Sequence, residues 1–116
     1  MATSFTEGKH TAEFLLSEGN GYISREQVNI DSTAAAMVPG TLLGKMANGN
    51  YKAYANANSA GDADAAAGIL YAYVADTTGV QKAVMIARQA EVSTSMLTGA
   101  DTAGKADLAA LGIILR

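Results

Sequence analysis

Cysteine is missing from the 116 residues, histidine and proline occur once each, and charged side chains make up only 16%. Without cysteine there is no disulfide framework, no thiolate metal site and no thiol nucleophile. His10 stands alone, so neither a histidine-based metal site nor a Ser-His-Asp relay can be assembled within one chain. Lysine and arginine total 8 against 11 acidic residues, and no basic cluster occurs. The electrostatic footprint that dominates nucleic-acid binding is therefore absent, and no nucleic-acid partner is expected. Long hydrophobic runs are lacking too. The longest uncharged small-to-apolar stretch, residues 65–75, is about half of the roughly 20 residues a spanning helix needs, so no membrane partner is expected. Near the start, Phe14, Leu15 and Leu16 are followed at once by Ser17 and Glu18, too short an apolar run for a secretory signal core.

What is there is a series of short apolar blocks cut by glycine: GTLLGK at 40–45, NYKAY at 50–54, GILYAYVA at 68–75 and VQKAVMIAR at 80–88. A chain of this length forms one domain and buries roughly two thirds of its unfolded surface. The blocks predict a mainly β, small single-domain body with one or two short helices. Residues 1–21 contain no such block and are read as a flexible N-terminal arm, with the β-rich body over 22–116. So sparsely charged a surface suits contact with protein.

Within the body, residues 24–30 alternate at their end like a half-buried strand, and Pro39-Gly40 signals a turn before a strand at 41–46. Asn48-Gly49 predicts a two-residue type I′ hairpin turn, with Leu43 near Tyr51. Residues 53–67 carry no bulky side chain beyond Tyr54 and are read as a surface loop. Strands are expected at 69–74 and 80–92, paired with each other. Asp101 as a cap and Gly112 as a stop delimit a short helix, followed by an edge strand at 113–116.

Chemistry finds little footing. GADTAGKA at 99–106 follows the phosphate-loop pattern until Ala106, which stands where a Ser or Thr hydroxyl should hold magnesium; a helix-capping loop is the simpler reading. Asp62 and Asp64 resemble a calcium pair, but Tyr73 occupies the position where the loop requires Glu. Glu18, Glu26 and Glu91 lie in no apolar context that would raise a carboxyl pKa, and Arg25-Glu26 reads as an exposed pair. Tyr51, Tyr54, Tyr71 and Tyr73 suit core and interface positions. No catalytic set, cofactor or metal is expected.

Taken together, ISREQVNI at 23–30, GTLLGK at 40–45, AGIL at 67–70, VMIARQAEV at 84–92 and LAALGI at 108–113 resemble the head decoration proteins of tailed phages, the family of the lambda phage capsid-stabilising protein. The resemblance covers roughly residues 14–116; the proline-rich leader of the lambda member has no counterpart here. It implies a β-clip body and a homotrimer, a structural protein and no enzyme. The trimer would be made in the host cytoplasm and bound to the major capsid protein on the outer surface of the virion. There, at three-fold and quasi-three-fold sites of the expanded head, it would stabilise the shell against packaged DNA. The residues expected to meet the capsid are Phe14, Leu15, Leu16, Tyr22, Ile23, Ser24, Arg25 and Glu26. The other class of function left open is a small β-rich binding module of another phage assembly, such as a tail or fibre.

Overall fold

The structure, a computed structural model, describes residues 10–19, 23–31, 35–59, 61–75 and 79–116. Three adjacent pairs of bulky residues, Leu42-Leu43, Ile69-Leu70 and Met85-Ile86, set its architecture. Successive side chains of a strand point to opposite faces, so a strand with two apolar neighbours must be covered on both sides. Leu43, Leu70 and Met85 turn inward and join Val28, Ile30, Met37, Val74 and Ala87 in the interior of a barrel. Leu42, Ile69 and Ile86 turn outward into a second cluster with Phe14, Tyr54, Ala66, Ala90, Val92, Leu108 and Ile113. At about 1.5–3 kcal/mol for each large apolar side chain fully buried, neither face can be left to solvent.

Five strands close the barrel in the order β2-β4-β3-β5-β6: β2 (Arg25–Ile30), β3 (Leu42–Met46), β4 (Tyr51–Ala53), β5 (Asp62–Leu70) and β6 (Gln81–Ile86). β2 and β6 pair antiparallel along their whole length, from Arg25 opposite Ile86 to Ile30 opposite Gln81. The seam between β2 and β4 is parallel and consists of the single pair Ile30 and Tyr51. Over the outer cluster lies a three-stranded sheet in the order β1-β7-β8: β1 (Leu15–Glu18), β7 (Ala90–Val92) and β8 (Ile113–Leu115). A 3-10 turn (Thr94–Met96) and the helix α1 (Thr102–Ala110) lead from β7 to β8, and α1 packs on β5 and β8. The mainly β expectation, with one or two short helices, holds. No helix among the described residues is long and apolar enough to cross a membrane.

The helix forms where the capping chemistry places it. Asp101 accepts a hydrogen bond from the Gly104 amide at 2.7 Å, and Gly112 lies just past the end at φ +83°.

Elsewhere the structure departs from the sequence reading. The alanine-rich stretch read as a loop is largely β5, with Ala63 and Ala66 buried. Small side chains make it a strand because β3 approaches so closely: a Cβ on Gly44 would fall 2.7 Å from the Ala63 Cα. β5 therefore starts earlier than expected and stops at Leu70, and its pairing with β6 is confined to Ile69 with Ile86 and Leu70 with Met85. The stretch 80–92 is divided between the barrel and the outer sheet. Its two halves, β6 and β7, are separated at Arg88 and Gln89, the latter at φ +53°.

The hairpin lies where Asn48-Gly49 predicts but turns differently. The Gly49 amide donates to the Met46 carbonyl at 3.0 Å and the Met46 amide to the Asn50 carbonyl at 2.7 Å, enclosing residues 47–49. Gly49 alone takes positive φ, +89°, the pattern of a three-residue turn. Tyr51 consequently pairs with Lys45, and Leu43 with Ala53.

Candidate functional site

Residues 10–19, which the sequence reading places in the arm, are built into the body. Phe14 is 1% exposed, in the cluster that joins barrel, sheet and helix. The backbone around it is tied at four points: the Ala12 amide donates to the Tyr71 carbonyl at 2.8 Å, the Ser93 amide to the Phe14 carbonyl at 2.8 Å, Leu15 pairs with Val92, and the Gly19 amide donates to the Gln89 carbonyl at 2.8 Å. The signal was the Phe14-Leu15-Leu16 triplet itself, an apolar run that solvent would not favour leaving exposed. Of the expected arm, residues 1–9, 20 and 21 lie outside the described residues.

Where β1 ends, Ser24 fastens it to the barrel. Its buried hydroxyl donates to the Gln89 carbonyl at 2.7 Å and accepts from the Gly19 amide at 2.9 Å. Arg25 reinforces this link by gripping Glu18 with two bonds, Nη2 to Oε1 at 2.7 Å and Nε to Oε2 at 3.1 Å. The same guanidinium lies 4.5 Å from the centre of the Tyr71 ring. A bidentate pair stacked on an aromatic face is the geometry arginine serves best, so Arg25 acts as a structural clamp. Glu26 pairs with Arg88 at 2.8 Å, and Arg88 also donates to the Ile23 carbonyl at 2.9 Å. Both members of that pair are roughly half exposed, and such pairs contribute little to stability.

The expected capsid-contacting residues thus fall into two groups. Phe14 and Ser24 are buried, Leu15 packs partly against the core, and Arg25 is engaged with Glu18 and Tyr71. Leu16 and Ile23 present large apolar side chains to solvent, 55% and 54% exposed, with Glu26 also exposed. Tyr22 lies outside the described residues. β1 pairs with β7 on one side, and no strand among the described residues covers its other edge. Leu16 and Ile23 are the large apolar side chains that this region presents to solvent.

The remaining constellations resolve into structural contacts. GADTAGKA caps α1, and Asp101 also accepts from the Tyr54 hydroxyl at 2.9 Å. Desolvation, then the hydrogen bond and charge of Asp101, push the Tyr54 phenol up to about 12. An open groove of about 490 Å³ beside it is lined by alanine, glycine and Asn56, with Tyr54 and Asp101 at its wall. Tyr51 is raised as well, by desolvation and then by the charge of Glu26. Asp62 pairs with Lys52 at 3.0 Å, and Asp64 accepts from the Gly61 amide. Among the described residues no group of three or more His, Cys, Asp or Glu side chains is placed to hold a metal ion.

No curated protein and no solved structure matches the chain significantly. The family described as bacteriophage lambda head decoration protein D matches residues 4–113, nearly the whole length. The chain therefore belongs to that family: it is a phage head decoration protein, associated with the capsid of the virion and of a structural rather than an enzymatic class.

Proposed function

We propose that this protein cements the expanded phage head, binding as a homotrimer to three-fold and quasi-three-fold sites on the outside of the shell and stabilising it against the pressure of packaged DNA. The family match over residues 4–113 carries this reading. Support from the fold is indirect: a clamped, mainly β body leaves Leu16 and Ile23 facing outward.

Docking divides between two parts of the chain. The N-terminal segment acts as the arm, adding a strand to an exposed sheet edge of the major capsid protein. Leu16 and Ile23 provide apolar contacts beside it. Ordering each residue of an arm costs about 1–2 kcal/mol in backbone entropy, so one arm binds weakly. Three arms on one trimer raise the effective concentration for the second and third, and avidity replaces single-site strength. Binding the expanded lattice and not its dissociated subunits stabilises the shell by mass action.

The test is to add purified protein to undecorated expanded heads and to unexpanded shells, and to measure occupancy and resistance to rupture. Selective uptake by expanded heads, with increased resistance, is expected. Equal uptake by both, or uptake without any gain in resistance, would remove the cementing role.

A further inference from the structure

We propose that Asn48 is a site of spontaneous modification, gated by opening of the β3–β4 hairpin and resisted on re-closure by Asp31. The backbone nitrogen after an asparagine can attack the side-chain carbonyl carbon, and glycine in that position leaves the approach least hindered. Asn48 and Gly49 are both exposed at the hairpin tip, and a Cβ on Gly49 would meet nothing within 4 Å. In the reaction the Gly49 nitrogen forms a bond to the Asn48 Cγ, the Cγ–Nδ2 bond breaks, and ammonia leaves with the proton that the nitrogen gave up. The cyclic imide then takes up one water at either carbonyl, giving aspartate or isoaspartate at position 48.

Three hydrogen bonds hold the closed tip away from this path. The Gly49 amide, whose nitrogen must lose its proton to attack, donates to the Met46 carbonyl at 3.0 Å. The Asn48 side chain is held at both ends: Oδ1 accepts from the Asn50 amide at 2.9 Å, and Nδ2 donates to Asp31 Oδ2 at 3.3 Å. Attack on Cγ requires the nitrogen and the side chain to be released together, so conversion waits for the tip to open.

Closing again is then disfavoured. Asp31 is buried at 9% exposure and also receives the Asn50 side-chain amide at 3.4 Å. A carboxylate at position 48 removes one of its donors and sets a like charge in that place. Isoaspartate also lengthens the backbone within a three-residue turn. The damage lies beside the weakest seam of the barrel, where Ile30 and Tyr51 form the one β2–β4 pair and the Asp31 amide donates to the Tyr51 carbonyl at 2.9 Å.

The experiment incubates the full chain at neutral pH, native and in urea, and follows each asparagine by peptide mass mapping with isoaspartate detection. Conversion at Asn48 is expected in the native chain, at least about tenfold slower than in urea, as local opening requires. Asn50, Asn56 and Asn58, followed by larger residues, are expected to stay intact over the same period. Asn48→Asp is expected to lower the unfolding midpoint more than Asn48→Ser, which keeps an acceptor for the Asn50 amide without adding charge. No native conversion at Asn48, equal rates in the two states, or equal midpoints for the two variants would overturn the proposal.

Discussion

Tyr54 shows how one side chain ties two layers of the molecule. Its ring is buried in the outer cluster and its hydroxyl reaches the carboxylate that caps α1. Burial strips water from the phenolate, and the hydrogen bond to Asp101 and its negative charge add to that cost, which is why the pKa is raised from 10.0 to about 12. The folded chain therefore keeps the phenolic proton to higher pH than the unfolded chain does. This contribution is complete below pH 10.0, and stability falls as pH rises from there through about 12. Tyr54→Phe removes the titrating group while leaving Asp101 to cap Gly104. Urea midpoints measured across the alkaline range should fall more steeply for the parent than for Tyr54→Phe. Parallel curves would mean that Tyr54 ionises alike in both states.

Among the elements, β5 depends on what its neighbours lack. A methyl on Gly44 would meet the Cα, Cβ and carbonyl oxygen of Ala63 at 2.7 to 2.8 Å, and backbone cannot rotate away as a side chain can. Gly44→Ala is expected to cost about 1–3 kcal/mol in denaturant unfolding, the range for overpacking a close contact. Adding Ala63→Gly leaves the Cα and the oxygen in the way; because Ala63 lies at φ +61°, where glycine is favoured, the cost of Gly44→Ala in that background is read against Ala63→Gly alone and should persist. A loss below about 0.5 kcal/mol, no more than a surface substitution costs, would show that β3 and β5 separate easily. The same contact explains why β5 before Ile69 was illegible: its alanines signal a loop by their lack of bulk, and the opposing Gly44 makes small size a requirement. α1 was legible because Asp101 and Gly112 act locally. The hairpin was legible in place but not in register, since three-residue and two-residue turns use the same Asn-Gly pair and differ in which φ is positive. Of the outer sheet, the edge strand at 113–115 was legible, but not the sheet itself, because its pairing joins residues 15–18, 90–92 and 113–115 across most of the chain. Which of the candidate capsid contacts face outward was not readable, because it depends on Ser24 and Arg25 holding β1 down.

On the scale of the whole molecule, the boundary between arm and body decides what a truncation can reveal. Among the described residues, β1 is docked by the Ala12 bond to Tyr71, the burial of Phe14, the pairing with β7, and the Glu18 pair with Arg25. Losing a buried phenylalanine alone costs about 3–5 kcal/mol, against a total stability of about 5–15 kcal/mol for a domain. A chain lacking residues 1–19 also uncovers Val92 and Ala90, and is expected to be unfolded or nearly so. A chain lacking residues 1–9 keeps all of these contacts and is expected to unfold at the same midpoint as the parent, while its occupancy on expanded heads falls. Comparable loss of stability in both truncations would mean that the first nine residues belong to the body. Full occupancy by the short truncation would take the arm out of docking and leave the exposed side chains of Leu16 in β1 and Ile23 just before β2 to account for it. Leu16→Asp then separates the two, because an exposed position tolerates the charge in the free protein whereas an apolar contact with the shell does not.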